Sequence, residues 1–236
     1  MSSGLDPLVG RGLIIAIDGP AGAGKSTVAR HLARHFGLLN LETGAMYRAL
    51  ALKAILSDLD LDDSAALEAL SRQTTIGLEP TATGNRVLLD GLDVTQRVRD
   101  ADVTQGASRV SVHPAIRAWM VDLQRALGQK GGVVMEGRDI GTVVFPDADL
   151  KFFLDASPEA RSQRRYEQAP KAAQQQPATR EDVSKELRER DERDRNRAQS
   201  PLRPAEDAVI IDSTEMSLEQ VLERIEGIVA ARIAGE

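Results

Sequence analysis

Nine consecutive residues, Gly19-Pro20-Ala21-Gly22-Ala23-Gly24-Lys25-Ser26-Thr27, constrain this chain more than any other stretch. They fit the pattern G-x-x-x-x-G-K-[ST]. An apolar run, Leu13 to Ile17, precedes them, and a helical pattern follows in which Val28, Leu32 and Phe36 recur at i, i+4 and i+8. Strand, glycine loop, helix is the context in which so short a pattern becomes a phosphate site. The glycines let successive N–H groups turn inward, and the new helix adds the positive end of its dipole. Lys25 is then placed to reach the β- and γ-phosphates, and the Ser26 hydroxyl to touch Mg²⁺. The plainer alternative is a glycine turn capping an ordinary helix; the lysine, the serine and the preceding strand disfavour it.

The length, 236 residues, allows one α/β domain with insertions or two small domains. Apolar residues make up 42% and aromatics only 3%, so the core is built of Leu, Val, Ile and Ala. The formal net charge of −6 argues against a general nucleic-acid-binding protein. The absence of cysteine removes disulfides, thiolate nucleophiles and Cys-based zinc sites, and suits a reducing cytoplasm. Imidazole comes only from His31, His35 and His113. His31 and His35 have the i, i+4 spacing that can hold a metal, although a solvated helix flank is the plainer reading. Met1 to Gly12 lacks the pattern of a secretory signal and reads as a frayed arm. No apolar stretch approaches the about 20 residues that span a membrane. A soluble, cytoplasmic protein is expected.

Short, near-continuous apolar runs alternate with helical patterns. Leu13–Ile17, Leu38–Leu41, Gly132–Met135, Leu150–Leu154 and Ala208–Ile211 read as five strands of a parallel sheet buried on both faces. Helices between them point to a doubly wound α/β fold. Ser217 and Gln220 form a capping box that starts the last helix, with Val221, Leu222, Ile225, Ile228 and Val229 as its apolar stripe. Residues 74–98 read as a small antiparallel meander with turns at Gly84-Asn85 and Asp90-Gly91, ahead of a helix around Ile116–Leu127. The Gln- and Pro-rich stretch from Gln168 to Thr179 reads as mobile.

Further constellations follow the second and third strands, at the carboxyl edge of the sheet, beside the loop. In Glu42-Thr43-Gly44-Ala45-Met46-Tyr47-Arg48, Thr43 is placed to cap a helix and Arg48 to clamp a second phosphate through two parallel N–H bonds. In Glu136-Gly137-Arg138-Asp139-Ile140-Gly141-Thr142, the glycines suggest a tight turn aiming Arg138 and Asp139 into a cleft. Asp139 has three available roles: holding Arg138, holding a metal-bound water, or orienting the acceptor phosphate. Ser108, His113-Pro114 and Arg117 lie near a helix start. Lys185 to Arg197 has Leu187 as its sole apolar residue, and Arg190, Asp194 and Arg197 share one helix face. It is either a helix laced with its own salt bridges or a lid closing on a polyanion, with Arg161, Arg164 and Arg165 as the other half. The phosphate loop favours the lid.

Taken in order, Gly-Pro-Ala-Gly-Ala-Gly-Lys-Ser-Thr, Glu-Thr-Gly-Ala-Met-Tyr-Arg, Gly-Arg-Asp-Ile-Gly-Thr-Val-Val-Phe-Pro-Asp-Ala and Arg-Asp-Glu-Arg-Asp-Arg-Asn-Arg resemble the bacterial cytidylate (CMP) kinases, over nearly the whole chain. The resemblance implies a single domain with a three-layer P-loop α/β fold and a central parallel five-stranded sheet. The core would span about 13–60, 128–160 and 200–236, a monophosphate-binding region with a small antiparallel insertion about 61–127, and a helical lid about 161–199. It implies phosphoryl transfer from ATP to CMP or dCMP with Mg²⁺, by a monomer. Gly19 to Thr27 would hold ATP, with Arg164 and Arg165 over it; Thr43, Arg48 and Arg138 would surround the CMP phosphate. Ser108, Arg117 and Asp139 would recognise cytosine, and Arg190, Asp194 and Arg197 would approach from the lid, Asp194 accepting from the sugar hydroxyls. Lys25, Arg138 and Arg190 would be the catalytic cations. Thr43 stands where relatives often have Ser, and Glu42 where Asp is common.

Phosphoryl transfer needs alignment and charge neutralisation more than covalent help, which suits a chain rich in arginine with no nucleophile–base pair. Two alternatives stay open: a kinase for another acceptor such as AMP, UMP or shikimate, and a nucleotide switch or RNA-binding module using the basic segment.

Overall fold

A computed structural model describes residues 12–81, 84–168 and 179–235. The expected N-terminal arm (residues 1–11) and most of the Gln/Pro-rich stretch (169–178) lie outside the described residues. Five strands, β1 (Ile14–Asp18), β2 (Leu39–Glu42), β6 (Val133–Glu136), β7 (Leu150–Asp155) and β8 (Val209–Asp212), form one sheet in the order β2-β6-β1-β7-β8. Every pairing in it is parallel. Each strand starts within a residue or two of its expected position and ends one residue later. The residue added at the end is acidic in all five: Asp18, Glu42, Glu136, Asp155 and Asp212.

Side chains of a strand alternate between faces, and here the two faces feed two separate cores. Ile14 and Ala16 of β1 pack with β6 residues Val133 and Met135 and with helices α2 (Thr43–Leu56), α4 (Ala101–Val110) and α5 (Pro114–Gly128). Ile15 and Ile17 face the other way, onto α1 (Lys25–Phe36) and α8 (Leu218–Ala234). Helix layers therefore cover both sides of the sheet. Ser217 caps α8 through the expected box with Gln220.

Helix α3 (Ser64–Ser71) precedes the insertion, in which β3 (Ile76–Thr81), β4 (Gly84–Leu89) and β5 (Leu92–Asp93) form the expected antiparallel meander. Asp90 and Gly91 make one turn, both with positive φ. Gly84-Asn85 is not the other turn: both belong to β4. The Asn85 side chain instead ties the meander to β2, accepting from Glu42 N at 2.8 Å and donating to Asn40 O at 2.7 Å. Ser108 and Arg117 do not share a helix start: Ser108 lies late in α4 and Arg117 early in α5, with Pro114 opening the second helix. Helices α6 (Pro158–Gln168) and α7 (Arg180–Asn196) lead back to β8.

Candidate active site

The glycine loop lies between β1 and α1 and is shaped by contacts only glycine tolerates. Gly19 has φ +144°, and a Cβ there would stand 2.0 Å from Leu154 O. Gly24, φ +97°, is the N-cap of α1 and offers no side-chain acceptor to the first turn, the place an anion can take, although Thr27 N already donates to Gly24 O at 3.0 Å. The Lys25 ammonium is 5% exposed and donates to Pro20 O at 2.7 Å. Burial, then the nearby Arg138 guanidinium, pushes it down to about 7. Ser26 Oγ donates to Glu136 Oε1 at 2.5 Å. Glu136 sits in register with Ile17 on one side and Glu42 on the other, and burial together with Glu42 raises its carboxyl. A hydroxyl and a carboxylate held this close are hard oxygen donors of the kind Mg²⁺ takes.

Asp18, at the end of β1, accepts from Ile140 N at 2.8 Å and Gly141 N at 2.7 Å. Burial pushes it up to about 6 despite these bonds. Asp18 thereby fixes the Gly137–Thr142 turn to the strand that carries the phosphate loop. In that turn Arg138 Nε donates to Asp194 Oδ2 at 2.9 Å. Asp139 does not hold Arg138, the first of its anticipated roles: it pairs with Arg117, whose guanidinium lies 5.8 Å from the centroid of the Tyr47 ring.

Thr43 does not cap α2 with its side chain, because its Oγ1 donates to Glu136 O at 2.7 Å across the sheet edge; Glu42 is the N-cap residue. Glu42 pairs with Arg48, which aims the guanidinium along the edge. Arg48 Nε and Arg197 Nη2 are buried donors with no protein acceptor.

Helix α7 lies over this edge, and its main pairs run outward to other elements. Asp194 receives Arg138 and lies 3.5 Å from Arg197 Nη1. Burial works against the Asp194 charge, but Arg138, Arg190 and Arg197 outweigh it and hold the carboxyl below its usual range. Arg193 Nε donates to Ser108 Oγ at 3.0 Å, joining α7 to α4. Arg190 is half-buried beside Arg138, Arg48 and Arg165; loss of water first, then Arg138, push it down to about 10. Leu187 is not alone in its apolar contact: with Val183 it packs on Ala21 of the glycine loop.

The arginines of α6 divide. Arg161, 1% exposed, brackets the site from within: it donates to Ala156 O at 2.9 Å and Ala21 O at 3.1 Å, and pairs with Asp191 of α7 at 2.7 Å. It thus ties the glycine loop to α7. Arg164 is turned to Ser213, at 3.0 and 2.6 Å, while Arg165 acts electrostatically on Arg190. Neighbouring residues of a helix point about 100° apart, so the two cannot face one ligand alike.

The structure thus gathers Lys25, Ser26, Thr43, Arg48, Ser108, Arg117, Arg138, Asp139, Arg190, Asp194 and Arg197 at one sheet edge. Sequence reasoning missed Asp18, Glu136 and Arg193. An acid ending an apolar run was the available signal for the first two; Arg193 was hidden among like charges. The whole arrangement is a concentration of buried and half-buried cations, with donors left over, around a helix N-terminus. Like charges held this close out of water are costly unless anions join them, so the edge suits two phosphate-bearing ligands. A separate recess of about 570 Å³, beside the start of β1 and lined by residues such as Ile14, Arg125 and Phe145, shares none of these residues.

A sequence profile of the cytidylate kinase family matches residues 15–231. The chain is 52% identical over 218 residues to the cytidylate kinase of Pelotomaculum thermopropionicum, covering 92% of this chain and 96% of that protein. It is 48% identical over 223 residues to the cytidylate kinase of Geobacillus kaustophilus, covering 94% and 99% respectively. Among solved structures, an uncharacterized protein from Eubacterium ventriosum superposes with a TM-score of 0.50 at 14% identity, over 93% of this chain and 99% of that one. That likeness concerns the fold alone.

Proposed function

The chain belongs to the cytidylate kinase family, and on that premise we propose how its residues divide the transfer of the γ-phosphoryl group of ATP to CMP or dCMP, giving ADP and CDP or dCDP. The observation that carries the assignment is the shared sheet edge. Arg138 and Arg190, opposite the loop, lie close enough to Lys25 to lower its proton affinity.

Gly19 to Thr27 wrap the triphosphate with backbone N–H groups, and Lys25 leaves Pro20 O for the phosphoryl oxygens. Ser26 and Glu136 would hold Mg²⁺, which supplies charge neutralisation across the phosphate chain. On the acceptor side, Thr43, Arg48 and Arg138 receive the CMP phosphate; the free Arg48 Nε and the Glu42 brace support this. Arg117 and Asp139 present donors and an acceptor side by side, which suits cytosine, whose O2 and N3 accept and whose N4 amine donates. Ser108 adds a hydroxyl, and Asp194 with Arg197 faces the sugar and phosphate from α7. Arg165 covers the ATP phosphates; Arg164, turned to Ser213, must release that loop to join it.

The acceptor is a phosphate that is ionised near neutral pH, so no general base is required. Arg138 and Arg190 flank the path of transfer and offset charge as it shifts from donor to acceptor. α7 keeps water away, which limits ATP hydrolysis. The same reading takes residues 61–127 as the monophosphate-binding region and 161–199 as the lid. It takes the enzyme to act as a monomer in the cytoplasm, and no helix of the described residues is long and apolar enough to cross a membrane.

The test is ADP release from ATP and Mg²⁺, measured with CMP, dCMP, UMP, AMP and shikimate in turn. Release that depends on CMP or dCMP is expected. Release indifferent to acceptor, or driven by AMP or shikimate alone, contradicts the assignment.

A further inference from the structure

Away from the cleft, α1 and α8 pack side by side on one face of the sheet, sharing Val28, Leu32, Ile225 and Val229 in their apolar contact. Next to that contact His31 and His35 of α1 meet Glu226 of α8. We propose that His31, His35 and Glu226 form a binding site for a divalent transition-metal ion of the Zn²⁺ type, distinct from the Mg²⁺ that accompanies the nucleotide.

The geometry is that of a chelate. One ligand atom from each residue lies within 4.8 Å of the others. His31 Nε2 touches Glu226 Oε1, and His35 Nδ1 lies 3.4 Å from the same oxygen. The two imidazoles are nearly parallel, 27° apart, with centroids 6.0 Å apart, as i, i+4 spacing on a helix dictates. The side chains are 34%, 51% and 27% exposed, so an ion can reach them while two helices hold them in place.

The donor types set the class of ion. Two imidazoles and one carboxylate suit Zn²⁺, Ni²⁺ or Cu²⁺ and leave a fourth position for water, whereas Mg²⁺ prefers an all-oxygen shell. A simple histidine–carboxylate ion pair would need only one of the imidazoles. Here both converge on one oxygen, which a single cation satisfies together. The rest of the chain offers little competition: there is no cysteine, and the remaining histidine, His113, is buried and hydrogen-bonded to Leu61 O at 2.9 Å.

The consequence is mechanical. His31 and His35 lie roughly 9 and 15 Å along α1 from Lys25, at 1.5 Å per residue. An ion there pins the far half of the phosphate-binding helix to α8. Because the unfolded chain scatters the three ligands, the ion binds the folded state preferentially and stabilises it.

The experiment uses the full chain, stripped with chelator and free of Mg²⁺, with Zn²⁺ alone as the probe. One ion bound per chain and a rise in Tm are expected, with no comparable rise from Mg²⁺. The double variant His31→Ala/His35→Ala, and separately Glu226→Gln, weaken Zn²⁺ binding by at least about tenfold, while Tm in chelator and CMP-dependent turnover stay at wild-type levels. Co²⁺ substitution gives a second readout on the unaltered chain: visible bands of a low-coordinate, imidazole-bearing site are expected. Zn²⁺ affinity unchanged in the double variant, no binding at micromolar Zn²⁺, or a Co²⁺ spectrum like that of the hydrated ion overturns the proposal.

Discussion

The two halves of the cleft are built on opposite plans. The proposed donor half is one uninterrupted segment, Gly19 to Thr27, whose backbone would do the binding; Lys25 is held locally on Pro20 O, and Ser26 reaches Glu136 at the end of β6. The acceptor half is assembled from the starts of α2 and α5, the end of α4, the turn after β6 and the whole of α7. Most of its polar groups are tied across elements, Arg138 to Asp194, Arg117 to Asp139 and Arg193 to Ser108. The turns of the first half are set between β1 and α1, with Glu136 of β6 joining them at Ser26. The second depends on α7, so a movement of α7 would take Asp194 from Arg138 and Arg193 from Ser108 while leaving Arg117 on Asp139 and Arg48 on Glu42. Arg161 links the two, donating to the loop at Ala21 O while pairing with Asp191 on α7.

The largest effect separates function from stability in the donor half. Lys25→Met lowers turnover by on the order of 10²–10³-fold, the cost of losing one preorganised donor to developing charge. The same change raises the Tm of the nucleotide-free protein at pH 6, because it removes a buried cation that burial and Arg138 disfavour. Near-wild-type turnover, or a fall in Tm, breaks the account of this half.

Asp194→Ala addresses the acceptor half, and there function and stability fall together. Arg138 and Arg197 lose their buried carboxylate, so a loss of about 3–5 kcal/mol is expected in chemical denaturation. CMP affinity falls further than ATP affinity in calorimetry; equal losses remove the distinction between the halves.

A pH experiment sharpens the contrast. The unfolded chain keeps the Lys25 proton up to its ordinary 10.5, whereas the folded chain releases it near 7. Between those values the unfolded state binds more protons, so this residue's contribution to stability rises with pH. Phosphates beside the ammonium restore its proton. ATP binding at pH 8 is therefore expected to take up protons, read as a dependence of binding heat on buffer ionisation enthalpy, and Lys25→Met abolishes it. Proton release, or uptake that persists in the variant, contradicts the assigned charge state.

The smallest effect concerns the tie between α7 and α4. Arg193→Ala removes one charge-assisted hydrogen bond, about 1.5–3 kcal/mol if fully formed and less at its partly exposed position. A several-fold rise in the KM for CMP with the KM for ATP unchanged is expected. Equal changes in both would place Arg193 outside the acceptor half.

The same contrast decides what could be read before folding. The donor site was legible because its determinants are adjacent in the chain and glycine has few reasons to recur at that spacing. The five strands and the meander followed from apolar runs and turns, but the order of the strands in the sheet did not. Individual pairings did not: whether Asp139 meets Arg138 or Arg117 depends on how α5 packs on the turn after β6. Thr43 looked like a cap because a hydroxyl at a helix start usually is one; the nearer acceptor, Glu136 O, comes from a strand far along the chain. Asp18 and Glu136 went unread because an acid closing an apolar run resembles the start of a loop. Arg161 shows the limit of charge patterns, since a buried, paired arginine and a solvated one look identical in sequence.

The central claim is that one sheet edge holds two phosphate groups face to face. A crystal structure with a non-hydrolysable ATP analogue and CMP bound together tests it directly. The account predicts the terminal phosphate of the analogue in the Gly19–Ser26 loop, against Lys25, with the CMP phosphate held by Arg48 and Arg138 in line with it. An empty loop, or a CMP phosphate seated away from Arg48 and Arg138, contradicts it.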